Sequence, residues 1–79
     1  MIERFLRYSL ERQRKICVVL MRDGKMEKLN LTVTAVDEDG LGFTAKRPGR
    51  KKEERYLLSD VLTAAYARGD QGELEELEY

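Results

Sequence analysis

The stretch from residue 29 to residue 46 predicts two β-strands joined by a tight turn, and it constrains the fold more than any other part of the chain. Apolar and polar side chains alternate along its first half, with the period of two that is typical of a half-buried strand. Between the halves lies Asp37-Glu38-Asp39-Gly40, where glycine can adopt the positive φ angle of a hairpin turn. The apolar positions, which we expect in the core, are Leu29, Leu31, Val33, Ala35, Leu41, Phe43 and Ala45.

The N-terminal segment predicts an amphipathic helix over residues 2 to about 14. Apolar side chains recur there at helical spacing, at Ile2, Phe5, Leu6 and Leu10. Acidic and basic side chains four residues apart would support the helix through ion pairs. Such a stripe could also bind a partner or a membrane surface, but we expect it to cap the core of a small β domain.

Residues 15–22 predict a strand that is buried on both sides, because both of its faces are apolar. The helix would cover one of these faces. Asp23-Gly24 then gives a second hairpin signal, which leads into the strand of residues 29–35. The chain has one cysteine, Cys17, inside the apolar run, so we expect a buried, inert thiol and no disulfide.

The rest of the chain predicts an exposed connection and two more strands. The connection spans residues 46–55, with Pro48-Gly49 at its turn. Residues 56–58 and 61–67 are apolar segments so close together that one strand should bend sharply into the next. The order of elements predicts a mainly β fold: an N-terminal α-helix followed by a five-stranded, strongly bent antiparallel small barrel.

Charge divides the chain into a basic body and an acidic tail. We assign residues 1–69 to a single domain, because a chain of 79 residues buries only a modest core. Those 69 residues carry 15 basic and 10 acidic side chains, a net charge of +5. Residues 70–79 hold five acidic side chains and no basic one, and we expect a flexible tail there.

Composition argues against several classes of protein. The longest apolar run is too short to span a membrane, and the N-terminus carries charges where a signal peptide is apolar, so we expect a cytoplasmic protein without a membrane partner. With no histidine and no glycine-rich phosphate loop, we expect no enzyme, metal, cofactor or small-molecule substrate. The three acids of residues 37–39 could serve acid/base chemistry or bind magnesium, but they also suit a solvated turn, which we prefer.

The stretches VTAVDEDGLGF, residues 33–43, and YLLSDVLTAAY, residues 56–66, resemble the Sm-like family of small β-barrels, which comprises the Sm, LSm and Hfq proteins. Residues 33–43, VTAVDEDGLGF, are similar to the first Sm motif, in which a bent strand ends in an aspartate, here Asp37. Residues 56–66, YLLSDVLTAAY, look like the final strand, tight turn and strand of the Hfq type. The resemblance covers residues 2 to about 67. It implies rings, closed by pairing the fourth strand of one subunit with the fifth of the next, that bind single-stranded, often uridine-rich, RNA.

The basic body together with this resemblance favours a module that binds single-stranded RNA or other single-stranded nucleic acid. We expect contacts to backbone phosphates, which carry little sequence information and weaken steeply with salt. The predicted phosphate-binding residues lie on the helix and in the connection: Arg4, Arg7, Arg12, Arg14, Lys46, Arg47, Arg50, Lys51, Lys52 and Arg55.

A protein-interaction or assembly module without an RNA pocket is the alternative. Near Asp37 no aromatic side chain is placed to stack on a base, and no asparagine is placed to read a base edge. Residues 56–67 contain one charged side chain, Asp60, so an edge strand formed there favours self-association.

Overall fold

One helix precedes five strands in the computed structural model, which describes residues 2–70 and residue 72. The elements are helix α1 (Ile2–Arg12), strands β1 (Ile16–Arg22), β2 (Lys25–Val36), β3 (Gly42–Lys46), β4 (Glu54–Leu57) and β5 (Val61–Tyr66), and a 3-10 turn (Leu58–Asp60) between β4 and β5. The strands form one antiparallel sheet in the order β4-β3-β2-β1-β5. The predicted mainly β, barrel-like fold with an N-terminal helix is confirmed, but the barrel is not closed, since β4 and β5 lie at opposite edges of the sheet.

Both predicted hairpin turns are confirmed. Asp23 and Gly24 have φ angles of 51° and 76°, the pair of positive values that a type I′ turn requires. In the second turn Gly40 has a φ angle of 74°, and its N–H donates a hydrogen bond of 3.0 Å to the carbonyl of Asp37. These two turns place β1, β2 and β3 side by side as the centre of the sheet.

The core lies between one face of β1, β2 and β3 and the underside of the helix. Strand pairing aligns side chains on that face, with Ile16 opposite Leu31 and Val33 opposite Ala45. The side chains without solvent exposure there are Ile16, Val18, Leu20, Leu31, Val33, Phe43 and Ala45. Helix α1 contributes Leu6 and Tyr8 to the same cluster.

The helix ends at Arg12, two residues before the predicted boundary. Gln13 has a φ angle of 54°, the left-handed conformation in which many helices terminate. Its side-chain amide donates a hydrogen bond of 2.8 Å to the carbonyl of Leu10, which satisfies one of the acceptors left free by the last turn.

Several positions predicted for the core are exposed. The β2–β3 pairing changes register between Val33 and Ala35, so the alternation loses its phase and Ala35 is exposed. Leu41 is 65% exposed because it lies in the turn that precedes β3.

The composition of strand β1 predicted that both of its faces are buried, but only one face is. The helix contributes Leu6 and Tyr8 to the cluster that holds Ile16, Val18 and Leu20, so it packs on the buried face of β1 and not on the other face. Met21 is exposed and the thiol of Cys17 is half-buried rather than buried.

Candidate nucleic-acid interface

The β3–β4 loop, residues 47–53, presents three of the ten predicted phosphate-binding side chains to solvent. Gly49, with a φ angle of 79°, and a hydrogen bond of 3.1 Å from the N–H of Arg50 to the carbonyl of Arg47 shape its turn. Within the described residues, four exposed cations of the loop and its β3 border form no side-chain hydrogen bond or ion pair. They are Lys46, Arg50, Lys51 and Lys52. This group is chemically available to a polyanion.

Arg47 belongs to the same loop, but its guanidinium forms an ion pair with Glu54 within the domain. Its Nε lies 3.0 Å from Oε1 of Glu54, and its Nη2 donates a hydrogen bond of 3.3 Å to Oε2. Oε1 has no hydrogen bond of its own, so its approach to Nε is a charge contact outside hydrogen-bond geometry. The Nε donates instead to the hydroxyl of Tyr56 at 3.4 Å, a bond that raises the pKa of Arg47. Arg47 therefore holds the base of the loop.

Arg55, another predicted phosphate ligand, forms hydrogen bonds with Asp37. Its guanidinium donates to both carboxylate oxygens, with Nη1 3.0 Å from Oδ1 and Nη2 bonded to Oδ2. This bidentate geometry is the strong form of an arginine–carboxylate contact, and the hydrogen bonds from Arg55 hold the pKa of Asp37 below its usual value. The aspartate on which the family resemblance depends thus joins the end of β2 to β4.

The arginines of the helix lie in three different environments. Arg4 donates to the hydroxyl of Tyr66 at 3.2 Å and stacks over Phe5, 5.2 Å from the ring centroid. Arg12 lies over the ring of Tyr8 at 5.5 Å. Arg7 is exposed on another face of the helix, toward the β2–β3 turn. Arg4, Arg7 and Arg12 therefore do not form a single basic row.

A cleft of about 540 Å³ lies at the C-terminal end of the helix and adds cations that sequence reasoning missed. It is lined by Gln13, Arg14, Lys15, Thr32, Ala67, Arg68, Gly69 and Asp70. Lys15 and Arg68 meet there because the β1–β5 pairing places Ile16 opposite Tyr66. Only the antiparallel pairing of the first and last strands would have predicted that Lys15 and Arg68 lie together. The pattern of single residues does not reveal this pairing.

The cleft adjoins the β3–β4 loop through one strand pair. Thr32 lines the cleft, and it lies directly opposite Lys46 in the β2–β3 register. Opposite residues in an antiparallel pair have Cβ atoms about 4.5–5.5 Å apart and share a face of the sheet. Lys46, at the β3 border of the loop, therefore lies beside a residue that lines the cleft.

One wall of the cleft carries a negative charge. The carboxylate of Asp70 accepts hydrogen bonds from the Tyr8 hydroxyl at 2.7 Å and from the Gly72 N–H at 2.8 Å, and it pairs with Arg14 at 3.5 Å. Burial raises the pKa of Asp70, but these hydrogen bonds outweigh burial and the pKa is lowered. Asp70 was assigned to the acidic tail, yet it contacts the domain; residues 71 and 73–79 of the predicted tail lie outside the described residues.

The aromatic rings of the described chain pack on one another. Phe43 and Tyr56 stack in the core with centroids 5.5 Å apart, and Tyr66 meets Phe5 and Tyr8 edge-on at 5.0 and 4.9 Å. Because each ring already has a packed neighbour, this part of the molecule offers no free platform for a base to stack on.

The described residues contain neither a metal-binding cluster nor a membrane-spanning helix. No group of three or more acidic or cysteine side chains there could hold a metal ion. No helix in the described part of the chain is long and apolar enough to cross a membrane. No protein-family model matches the chain, and neither a curated protein nor a solved structure matches it.

Proposed function

We propose that this protein is a small Sm-like module that binds single-stranded RNA, or other single-stranded nucleic acid, mainly through backbone phosphates. The binding surface consists of the β3–β4 loop with Lys46 and the cleft at the end of the helix, which we call the basic face. The observation that carries the proposal is the pairing of Lys46 with Thr32, because it places the cation at the border of the loop beside the cleft lined by Arg14, Lys15 and Arg68.

The order of elements supports the Sm-like part of the proposal. A helix is followed by five antiparallel strands, and a 3-10 turn of three residues, Leu58–Asp60, separates β4 from β5. The resemblance implies a tight turn at this point of the chain.

The chemistry of the basic face supports phosphate contacts over base contacts. Its donors are ammonium and guanidinium groups, and the described aromatic rings are engaged with one another. Affinity should then depend on the number of phosphates in reach and hardly on sequence. Arg4, Arg12, Arg47 and Arg55 leave the set of proposed ligands, since each is engaged within the domain, and Arg7 lies on another face. Arg14 is engaged as well, by Tyr8 and Asp70, and it binds phosphate only where phosphate displaces Asp70.

The test is a fluorescence titration of single-stranded RNA at about 50 mM and about 200 mM salt. Lys51→Gln combined with Lys52→Gln should reduce the slope of log affinity against log salt by about 1.4, since each lost contact to a single strand contributes about 0.7. The matched control is Lys25→Gln combined with Lys28→Gln, which removes the same charge from the exposed β1–β2 hairpin. Equal losses in the two double variants would mean that overall charge, not the basic face, attracts the RNA.

A second candidate function, oligomeric assembly, is favoured by the two open edges of the sheet. Strand β5 has the sequence VLTAAY without a charged side chain, and its Leu62 is 51% exposed. At the opposite edge, Leu57 on β4 is 48% exposed. An uncharged edge strand is a template for pairing with another chain, and charges that usually block such pairing are absent from β5.

A further inference from the structure

A second concave surface of this protein is apolar and acidic, in contrast to the basic face. It lies between helix α1, the β2–β3 turn and the 3-10 turn, and it encloses about 400 Å³. Its floor is formed by Leu6, Leu10, Val36 and Leu58. We call it the acidic groove. It shares no lining residue with the cleft of the basic face.

The floor of the groove leaves apolar surface in contact with water. Leu10 and Leu58 are only half-buried, and Val36 is 40% exposed although it belongs to a strand next to the core. Covering such surface contributes about 25 cal/mol per Å² of apolar area. The groove therefore gains from a ligand that carries apolar side chains.

The rim of the groove is dominated by carboxylates. Glu11 lines it from the helix beside the cation Arg7, and the carboxylate of Glu3, which also lines it, already has interaction partners. Glu38 and Asp39 belong to the β2–β3 turn that borders the groove through Gly40, and Asp60 belongs to the 3-10 turn that borders it through Leu58. Asp37 adds no net charge, because Arg55 neutralises it.

We propose that the acidic groove binds a short segment of a partner protein in which lysine or arginine alternates with large apolar residues. Apolar side chains of this segment fill the floor, and its cations face the carboxylates of the rim. Charge complementarity selects such a partner and disfavours nucleic acid, whose phosphates the rim repels. The volume is at the lower end of the range of about 300–1,000 Å³ for ligand pockets, so it accommodates a few side chains of a short segment.

This site is independent of the proposed nucleic-acid function, because the two surfaces use different residues and opposite charges. Occupation of the groove leaves the loop and the cleft open. The protein can therefore hold a basic partner segment and a polyanion at the same time, as an adaptor between them.

The test uses three fluorescein-labelled peptides of equal length and the full-length protein, followed by fluorescence anisotropy. The first peptide contains leucine and lysine in alternation, the second has glutamate in place of lysine, and the third has serine in place of leucine. We expect saturable 1:1 binding of the first peptide and at least about tenfold weaker binding of the other two, a difference of about 1.4 kcal/mol. Equal binding of the lysine–serine peptide would show attraction by charge alone and overturn the proposal.

Two variants test whether the leucine–lysine peptide binds in the acidic groove. Val36→Lys and Glu11→Lys change exposed groove positions. Each should weaken the binding of the leucine–lysine peptide at least about fivefold. Leu62→Lys, on the β5 edge, adds the same charge as Val36→Lys and is its control; it should leave peptide binding unchanged. Thermal unfolding of each variant checks that it is folded. If Val36→Lys instead converts an oligomer into a monomer and leaves peptide binding intact, a second copy of the chain covers the groove and the proposal is wrong.

Discussion

The hydroxyl of Ser9 in the helix accepts a hydrogen bond of 2.8 Å from the backbone N–H of Val33, at the point where β2 changes its register with β3. The same hydroxyl donates a bond of 2.6 Å to the carbonyl of Arg14. Ser9 is completely buried. A single side chain thus joins the helix to the irregular part of β2 and to the segment that leads into β1.

Replacing Ser9 should destabilise the protein. Ser9→Ala leaves the buried N–H of Val33 without its partner, which costs about 1–3 kcal/mol. Urea unfolding at neutral pH measures this loss. Ser59→Ala, at an exposed position of the 3-10 turn, is the control and should change the free energy of unfolding by less than about 0.5 kcal/mol. Equal effects of the two variants would contradict the role given to the Ser9 hydroxyl.

Gly42 should not tolerate a side chain. A Cβ atom at this position would lie 2.9 Å from Nη2 of Arg55 and 2.9 Å from the backbone carbonyl oxygen of Tyr56. Arg55 could move, but the carbonyl belongs to the strand paired with β3, so Gly42→Ala should cost about 1–3 kcal/mol through overpacking. Thermal unfolding tests this, with the exposed Lys46→Ala on the same strand as the control. A stable Gly42→Ala protein would mean that β4 shifts freely.

The Asp37–Arg55 pair should contribute to stability in a pH-dependent manner. Hydrogen bonds from Arg55 lower the pKa of Asp37 in the folded protein, so the stabilisation is complete above the unfolded pKa of about 3.9 and is lost as the pH falls through the lower folded value. The stability difference between wild type and Asp37→Asn should therefore be largest at neutral pH and should shrink below about pH 4. Urea unfolding across this range measures it. The exposed Glu38→Gln serves as the control, and a pH-independent difference would exclude ionisation of Asp37 as its source.

Asp70 should oppose RNA binding at the cleft. Its lowered pKa keeps the carboxylate ionised at neutral pH, where it competes with phosphate for Arg14. Asp70→Asn should tighten RNA binding by about two- to fivefold at low salt, since an ion pair near the surface contributes about 0.2–1 kcal/mol, and salt should reduce this gain. Asp60→Asn removes the same charge at the acidic groove. If both variants tighten binding equally, the effect is one of net charge.

Self-association through β5 should respond to one added charge. If the uncharged edge pairs with another chain, the protein scatters light as an oligomer at micromolar concentration, and Leu62→Lys shifts it toward the monomer because edge lysines block strand pairing. Lys28→Gln, on the central strand β2, should leave the oligomer unchanged. A monomeric wild-type protein would rule out assembly as the function.

The elements of the fold were predictable where local chemistry determines them, and the basic face was predictable only in part. Asp-Gly pairs identify both hairpins because a turn with positive φ angles admits few other residues. Ala35 was misplaced because a register shift leaves no mark in single residues. The bidentate pair of Arg55 was not predicted since its partner, Asp37, is 18 residues away, and Lys15 and Arg68 meet only through strand pairing.

The separation of the basic face from the acidic groove bears on how fast a polyanion is captured. The formal charge of the whole chain is zero, so at long range the protein has no net attraction for nucleic acid. In the proposed nucleic-acid function, the field of a phosphate backbone still exerts a torque on this charge distribution and turns the loop cations toward the strand before contact. More collisions then occur in the productive orientation, and because screening acts on this alignment, added salt slows association even though the overall charge is neutral.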